Sequence, residues 1–177
     1  MTTAVARIPA YPLVNLVLSQ SAWCAAVFGG AAGRWWPGVA AVTLVVGLHA
    51  LAMPPNERRI GILVLVVIGG FVIDSALGLA GVCRYVSGAA DGSVAPAWLV
   101  ALWPNFATLL SGTCAWLVRR PWLAAAFGVI GGPLAYLGGE RLGALTFPQG
   151  YVPALLALAV RGVWRCPRSP GYGAGRR

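Results

Sequence analysis

Residues 96–118 read PAWLVALWPNFATLLSGTCAWLV and contain no charged side chain. A helix of this length can cross the hydrocarbon core of a bilayer, which is about 30 Å thick. At helical spacing Asn105 and Thr108 share one stripe with the small residues Ala101 and Gly112. Since lipid cannot hydrogen-bond an amide, this stripe should face other helices. Asn105 is then either an interhelical contact or part of the wall of a binding site, and the stretch alone leaves both open.

The whole chain has the composition of a membrane protein. Its 177 residues are 59% hydrophobic and only 10% charged, whereas soluble domains average about 25% charged residues. The apolar residues form long blocks rather than amphipathic stripes. We therefore predict an all-α fold, a polytopic membrane helix bundle, in a single domain over residues 1–165. Residues 166–177 are rich in Arg, Gly and Pro, and we expect a disordered cytoplasmic tail there.

Six hydrophobic blocks predict six transmembrane helices. Their approximate ranges are 10–30, 37–53, 60–82, 96–118, 122–147 and 151–163. With both termini placed inside, ten arginines fall in inner segments, and three, Arg34, Arg84 and Arg141, fall in outer segments. Because the inner loops of membrane proteins are enriched in basic residues, this asymmetry predicts that both termini are cytoplasmic.

The net charge of +9 does not indicate a nucleic-acid partner. The basic residues are all arginine, and they lie at the ends of the hydrophobic blocks. A nucleic-acid interface needs a folded polar surface that displays its basic residues together, and this sequence predicts no such surface. We therefore expect no nucleic-acid partner.

The cysteines do not form a metal-binding pattern. Cys24, Cys83, Cys114 and Cys166 make no CxxC pair, and the chain has a single histidine. The signatures of zinc and haem sites are therefore missing, and we expect neither a metal nor a cofactor. Cys24 and Cys83 are expected at the same face of the membrane, so a disulfide between them stays an open alternative.

Asp74 is the best candidate for a catalytic or otherwise functional residue. It is the one carboxylate well inside a hydrophobic block, and a carboxylate there costs about 2.5–3.5 kcal/mol on insertion scales. We therefore predict that Asp74 is buried against Asn105 or the turn at Glu140 and Arg141. Gly70, Gly78 and Gly81 lie on the same side of the helix and predict close packing there. A structural ion pair is the competing interpretation.

Two further segments carry polar residues in apolar surroundings. Tyr136 and Glu140 lie one turn apart in the fifth block, which Pro133 is expected to kink or break. His49 lies about one turn from the end of the second block. It is either an interfacial histidine or part of a proton relay, and a relay needs a partner that the sequence does not identify.

Three groups of residues carry a resemblance to a known family. They are Phe71-Val72-Ile73-Asp74-Ser75, then 95–99 with Leu102-Trp103 and Phe106-Ala107, then 131–136 with Gly139 and 142–144. In this order they resemble a family of bacterial inner-membrane proteins, domain of unknown function 2878. The resemblance implies a small multi-span inner-membrane protein, and it suggests an association with enzymes that act on membrane fatty acyl chains. Relatives tend to have a longer polar run after Phe106 than this chain has.

Three functions are compatible with these residues. The first is the handling or modification of membrane lipid or fatty acyl chains, or assistance to an enzyme that does this, with Asp74 as acid, base or polar anchor. The candidate substrate-binding residues are Trp103, Asn105, Tyr136, Glu140 and Arg141. The alternatives are a scaffold or assembly protein without catalysis, and a small proton- or ion-coupled transporter subunit. Motifs such as HExxH and GxSxG are missing, so whether the protein is an enzyme stays open. The expected partners are membrane lipid, other membrane proteins, or a second copy in a homo-oligomer.

Overall fold

The computed structural model describes residues 11–52, 57–86, 91–111, 113–114, 116–117 and 120–161. Within these ranges the chain forms six helices and two short strands. They are α1 (Tyr11–Ala31), α2 (Trp36–Ala52), α3 (Glu57–Leu79), β1 (Arg84–Tyr85), α4 (Ala97–Ser111), α5 (Pro121–Arg141), β2 (Leu145–Thr146) and α6 (Tyr151–Arg161). The expected all-helical class is confirmed, with one helix in each hydrophobic block. The expected tail, 166–177, lies outside the described residues.

Helices α1, α2 and α4 pack against one another. The buried face of α1 includes Asn15, Ser19, Ala22 and Ala26, the stripe that helical spacing of the sequence predicts. These small side chains let the helix backbones approach closely and make dispersion contacts. On α4, Asn105 and Thr108 are buried as expected.

Helix α5 contacts the first four helices near its C-terminal end. In the described residues it packs chiefly on α6 and β2, and α3 packs on α4. Its close contacts with the first four helices include Tyr136 against Asp74 and Gly138 against Trp23, both in its last two turns. We call this end of the bundle, where the two-stranded sheet of β1 and β2 also lies, the sheet end.

The two strands were not predicted, and they explain why α5 is shorter than its hydrophobic block. The N–H of Gly143 donates to the Glu140 carbonyl, and the N–H of Ala144 donates to the Gly139 carbonyl. This bonding pattern ends a helix on a left-handed residue, and Gly143 has φ +80°. The chain then enters β2, so the fifth helix stops at Arg141 rather than continuing to 147. Pro133 lies inside a continuous helix, so of the two outcomes predicted for it, a kink or a break, the break is wrong.

Helix α3 ends in the same way. Gly81 has φ +70°, its N–H donates to the Gly78 carbonyl, and the N–H of Val82 donates to the Leu77 carbonyl. Gly81 therefore terminates the helix, whereas the sequence had suggested that it lines the packing face. The two glycine-terminated helices place β1 and β2 side by side, with Arg84 opposite Thr146 in an antiparallel pair.

Two of the described helices are long and apolar enough to cross a bilayer. These are Tyr11–Ala31 and Trp122–Arg141. Three shorter segments are also apolar, namely Trp36–Leu51, Leu63–Leu79 and Ala97–Ser111.

Candidate functional site

Asp74 lies on α3 with only 1% of its surface exposed. A buried carboxylate is costly unless its oxygens accept hydrogen bonds. The indole N–H of Trp103 on α4 donates to Oδ2 over 2.8 Å, and the hydroxyl of Tyr136 on α5 donates to Oδ1 over 2.5 Å. Burial of Asp74 is thus confirmed, and three helices meet at its carboxylate. Trp103 and Tyr136 donate these hydrogen bonds, whereas the sequence predicted Asn105 or the turn at Glu140 and Arg141 as the neighbour of Asp74.

Gly70 determines the position of Trp103. A Cβ atom at Gly70 would lie 2.2 Å from the indole ring of Trp103, so only glycine leaves room for the ring at this place. Gly70 precedes Asp74 by one helical turn and lies on the same face of α3. The indole therefore rests on the α3 backbone one turn away from the carboxylate that its N–H reaches. The predicted glycine packing is confirmed here and at Gly78.

Tyr85 on β1 adds a fourth element to the site. It is buried, and its hydroxyl donates to the main-chain oxygen of Asp74 over 2.8 Å. The Tyr85 hydroxyl also lies within hydrogen-bond reach of Tyr136 and of the Cys83 thiol. Burial, with smaller contributions from the neighbouring Cys83 and Asp74, raises the pKa of Tyr85, so its hydroxyl stays protonated and can donate.

Residues 91–95, just before α4, pack against α3 beside Asp74 at the sheet end. The carbonyl oxygen of Ser93 lies only 2.0 Å from the position that a Cβ atom on Gly78 would take. The N–H of Ala95 donates to Ser75 Oγ over 3.3 Å. The N–H and hydroxyl of Ser93 both donate to Asp91 Oδ1. These hydrogen bonds hold the pKa of the exposed Asp91 carboxyl below its usual value, and they fix the turn that carries Ser93.

Asn105 takes part in a separate contact between α1 and α4. Its Oδ1 accepts from the Ser19 hydroxyl and its Nδ2 donates to the Ser19 main-chain oxygen, each over 3.0 Å. Such pairs join helices in an apolar medium at a gain of about 0.6 kcal/mol. Ser19 is fully buried, and the contact matches the interhelical interpretation of Asn105.

The other two predicted substrate-binding residues lie at the end of α5. Glu140 Oε1 accepts a hydrogen bond from the Tyr151 hydroxyl of α6 over 3.1 Å. Arg141 is exposed at the last position of the helix. Of the five predicted residues, Trp103 and Tyr136 gather at Asp74, while the other three lie in other contacts or on the surface.

Sequence reasoning missed the roles of Tyr85 and Cys83 in this cluster. Both lie in a turn-rich segment between two hydrophobic blocks, where an aromatic residue usually indicates a membrane interface. Cys83 is buried, Cys24 is exposed, and no disulfide joins them. The alternative of a disulfide between these two cysteines is therefore excluded. Cys114 is a free thiol, and Cys166 lies outside the described residues.

The fold and this site define a small helical bundle in which one buried carboxylate joins three helices next to a two-stranded antiparallel sheet. The family model described as "Protein of unknown function (DUF2878)" matches residues 12–166. This match covers all six helices, and the chain belongs to that family. Neither a curated protein nor a solved structure matches the chain.

Proposed function

We propose that the protein is an integral protein of the bacterial inner membrane that crosses the bilayer six times. Large apolar side chains support this, because they point outward along several helices, including Leu51, Leu65, Ile130 and Leu156. Such a surface suits lipid and would be costly in water. Helices α2, α4 and α6 have 17, 15 and 11 described residues, whereas a full crossing takes about 20. Thinning of the bilayer around a short helix costs a fraction of a kcal/mol per Å of mismatch.

The first prediction is that both termini are cytoplasmic. Reporter fusions after Arg58 and at the C-terminus should both give cytoplasmic signals, since the arginine asymmetry is ten to three in favour of that orientation. A fusion after Arg84 is the matched control and should report the periplasm. A periplasmic signal from either of the first two fusions would overturn the proposed topology.

We further propose that the Asp74 site binds a membrane amphiphile, that is, a molecule with an apolar chain and a polar head. The observation that carries this proposal is the Asp74 carboxylate with its donors Trp103 and Tyr136. Both donors are only half-buried, so part of each side chain remains accessible. A hydrogen-bonding group flanked by aromatic rings is the usual composition of a small-molecule site.

The packing of α5 supports an apolar chain as the rest of the ligand. Gly69 on α3 and Gly131 and Gly132 on α5 lie farther from the sheet end. At each of them, an added Cβ atom would have no atom from another described segment within 4 Å. Phe71, about one turn before Asp74 on α3, is 42% exposed. An acyl chain lying between α3 and α5 would cover this apolar surface at about 25 cal/mol per Å².

The residues packed over α3 at the sheet end favour entry of a ligand from the bilayer. Tyr85 and Ser93 lie over the end of α3, so a ligand would reach Asp74 from the bilayer, between α3 and α5. In that pose Asp74 would serve as polar anchor or as acid and base, and Trp103 and Tyr136 would line the apolar cleft. Arg141, exposed at the sheet end, would contact a lipid headgroup. The protein would act on the lipid itself or present it to an enzyme that does.

The second prediction tests this function directly. Deleting the gene should change the acyl-chain or headgroup profile of the membrane, measured by mass spectrometry of extracted lipids, and the wild-type gene should restore it. An unchanged profile would contradict lipid handling. If purified protein in proteoliposomes then gave a pH- or ion-dependent flux, the transporter alternative would be favoured, and without such a flux the scaffold alternative would be.

A further inference from the structure

A second cluster of chemically active side chains lies at the end of the bundle opposite the sheet end. His49, in the last turn of α2, has a hydroxyl at each ring nitrogen. The Ser111 hydroxyl oxygen lies 2.9 Å from Nε2, and the Tyr11 hydroxyl oxygen lies 2.6 Å from Nδ1. These residues come from three helices and from positions far apart in the chain. Tyr11 and Ser111 are the partners of His49 that the sequence did not identify.

The chain after α4 helps to assemble this cluster. The Thr113 hydroxyl donates to the Pro12 carbonyl over 2.6 Å and lies 3.1 Å from Asn15 Oδ1. These contacts join the end of α4 to the first turn of α1, next to Tyr11. Ser111 is therefore held beside His49 from two sides, by its own helix and by the contact with α1.

We propose that Ser111 is a nucleophile activated by His49, in a second site that is independent of Asp74. A hydroxyl within hydrogen-bond reach of an imidazole, whose other nitrogen is oriented by a third group, is the arrangement that activates serine. In the tautomer that suits this role, Ser111 donates to Nε2, and the Nδ1–H donates to Tyr11. Tyr11 is then a positioning residue that selects the tautomer and holds the ring.

The local surface indicates which substrates would fit. Ser111 is exposed, and His49 is half-buried, so a reacting group can approach the hydroxyl. Leu48 and Leu51, on either side of His49 in the sequence, are 43% and 79% exposed. An apolar chain can lie on these leucines. The matching substrate class is a carboxylic ester with an apolar acyl chain.

The reaction balances with water as the second substrate. Ser111 Oγ bonds to the ester carbonyl carbon while His49 Nε2 takes the hydroxyl proton. The carbon–oxygen bond to the leaving alcohol then breaks, and His49 returns the proton to the alkoxide. Water, deprotonated by His49, attacks the acyl-serine ester, which releases a carboxylic acid and restores the Ser111 hydroxyl.

The same serine has a competing structural role. Its hydroxyl also lies 2.9 Å from the Ala107 carbonyl and 3.3 Å from the Thr108 carbonyl, within its own helix. Ser21 on α1 makes the equivalent bond to the Val17 carbonyl over 2.9 Å and is exposed. Ser21 therefore provides a matched control, a membrane-helix serine with the same backbone bond.

The third prediction is that Ser111 reacts covalently with a fluorophosphonate that carries a long alkyl chain. Labelling of the full-length protein in detergent should be lost in Ser111→Ala and unchanged in Ser21→Ala. In His49→Gln the labelling rate should fall about 100-fold, the typical contribution of a general base. In the wild type the rate should rise with pH as His49 loses its proton, and Tyr11→Phe should alter that profile.

Two results would overturn the assignment of Ser111 as a nucleophile. One is wild-type labelling no greater than that of Ser111→Ala, and the other is a His49→Gln rate equal to the wild-type rate. If His49→Gln fails to fold, as judged by its melting temperature, the pH profile of the wild type and the Tyr11→Phe variant decide instead. A wild-type rate that does not vary with pH would then contradict the role of His49.

Discussion

Asp74→Asn is expected to fold like the wild type and to abolish the lipid phenotype of the gene. In the wild type, both carboxylate oxygens accept hydrogen bonds, one from Trp103 and one from Tyr136. The amide of asparagine can keep both contacts, because its oxygen still accepts from the indole N–H. Its NH₂ group can donate to the Tyr136 hydroxyl, which can turn to accept. The cost in stability should therefore be under about 1 kcal/mol.

The effect on function should be large because asparagine has neither charge nor a proton to exchange. An acid or base at this site, or an anchor for a hydrogen-bond donor of the ligand, is lost in the variant. The measurement is the lipid profile of a deletion strain that carries Asp74→Asn, with expression and melting temperature compared with those of the wild type. A fully active Asp74→Asn protein would remove Asp74 as the functional residue and favour the scaffold alternative.

Asp74→Leu is the matched variant for the structural role of the same side chain. Leucine leaves the Trp103 N–H and the Tyr136 hydroxyl without their acceptor, and each such loss in a buried position costs about 1–3 kcal/mol. We expect this variant to be destabilised by about 2 kcal/mol or more, whereas Asp74→Asn is not. The pair therefore separates loss of function from loss of fold.

Gly78→Ala is expected to cause a large loss of stability. A Cβ atom at Gly78 would lie 2.0 Å from the Ser93 carbonyl oxygen, and main-chain atoms cannot move aside without displacing residues 91–95 beside Asp74. Overpacking of this kind costs about 1–3 kcal/mol and sometimes more. A loss of about 3 kcal/mol would lower the melting temperature by about 6–12 °C for a chain of this size.

Neighbouring glycines on α3 provide controls for that experiment. Gly70→Ala should also destabilise, by about 1–3 kcal/mol, because its Cβ would overlap the Trp103 ring. Gly69→Ala, one position earlier, meets open space and should be neutral or stabilising by up to about 1 kcal/mol through helix propensity. Intrinsic fluorescence during heating would give all three melting temperatures. Equal melting temperatures for the three variants would contradict the described packing of α3.

Local patterns in the sequence predicted the helices and several of their buried faces. In lipid, the backbone N–H and C=O groups of a long uncharged block find their hydrogen-bond partners within a helix, and each block contains a helix. Polar and small residues at helical spacing predicted the buried stripe of α1. The cost of a carboxylate in an apolar block predicted that Asp74 is buried. Each of these inferences needs only the chemistry of one segment and the periodicity of a helix.

Only the tertiary structure decided which residues share a site. Asp74 could have met Asn105 by depth and polarity alone, yet Asn105 pairs with Ser19 while Trp103 and Tyr136 reach the carboxylate. The choice depends on how each helix is rotated about its axis, and therefore on contacts between segments that are distant in the chain.

The same dependence on distant contacts explains why the sequence did not predict the β1–β2 strand pair and the His49 cluster. The pairing of Arg84 with Thr146 joins residues from two separate connections, and strands of two residues leave no periodicity to detect. His49 meets Tyr11 and Ser111, which lie 38 and 62 positions away. Sequence patterns report the environment of a side chain through its local neighbours, whereas a hydrogen bond between helices is determined by their relative position and rotation.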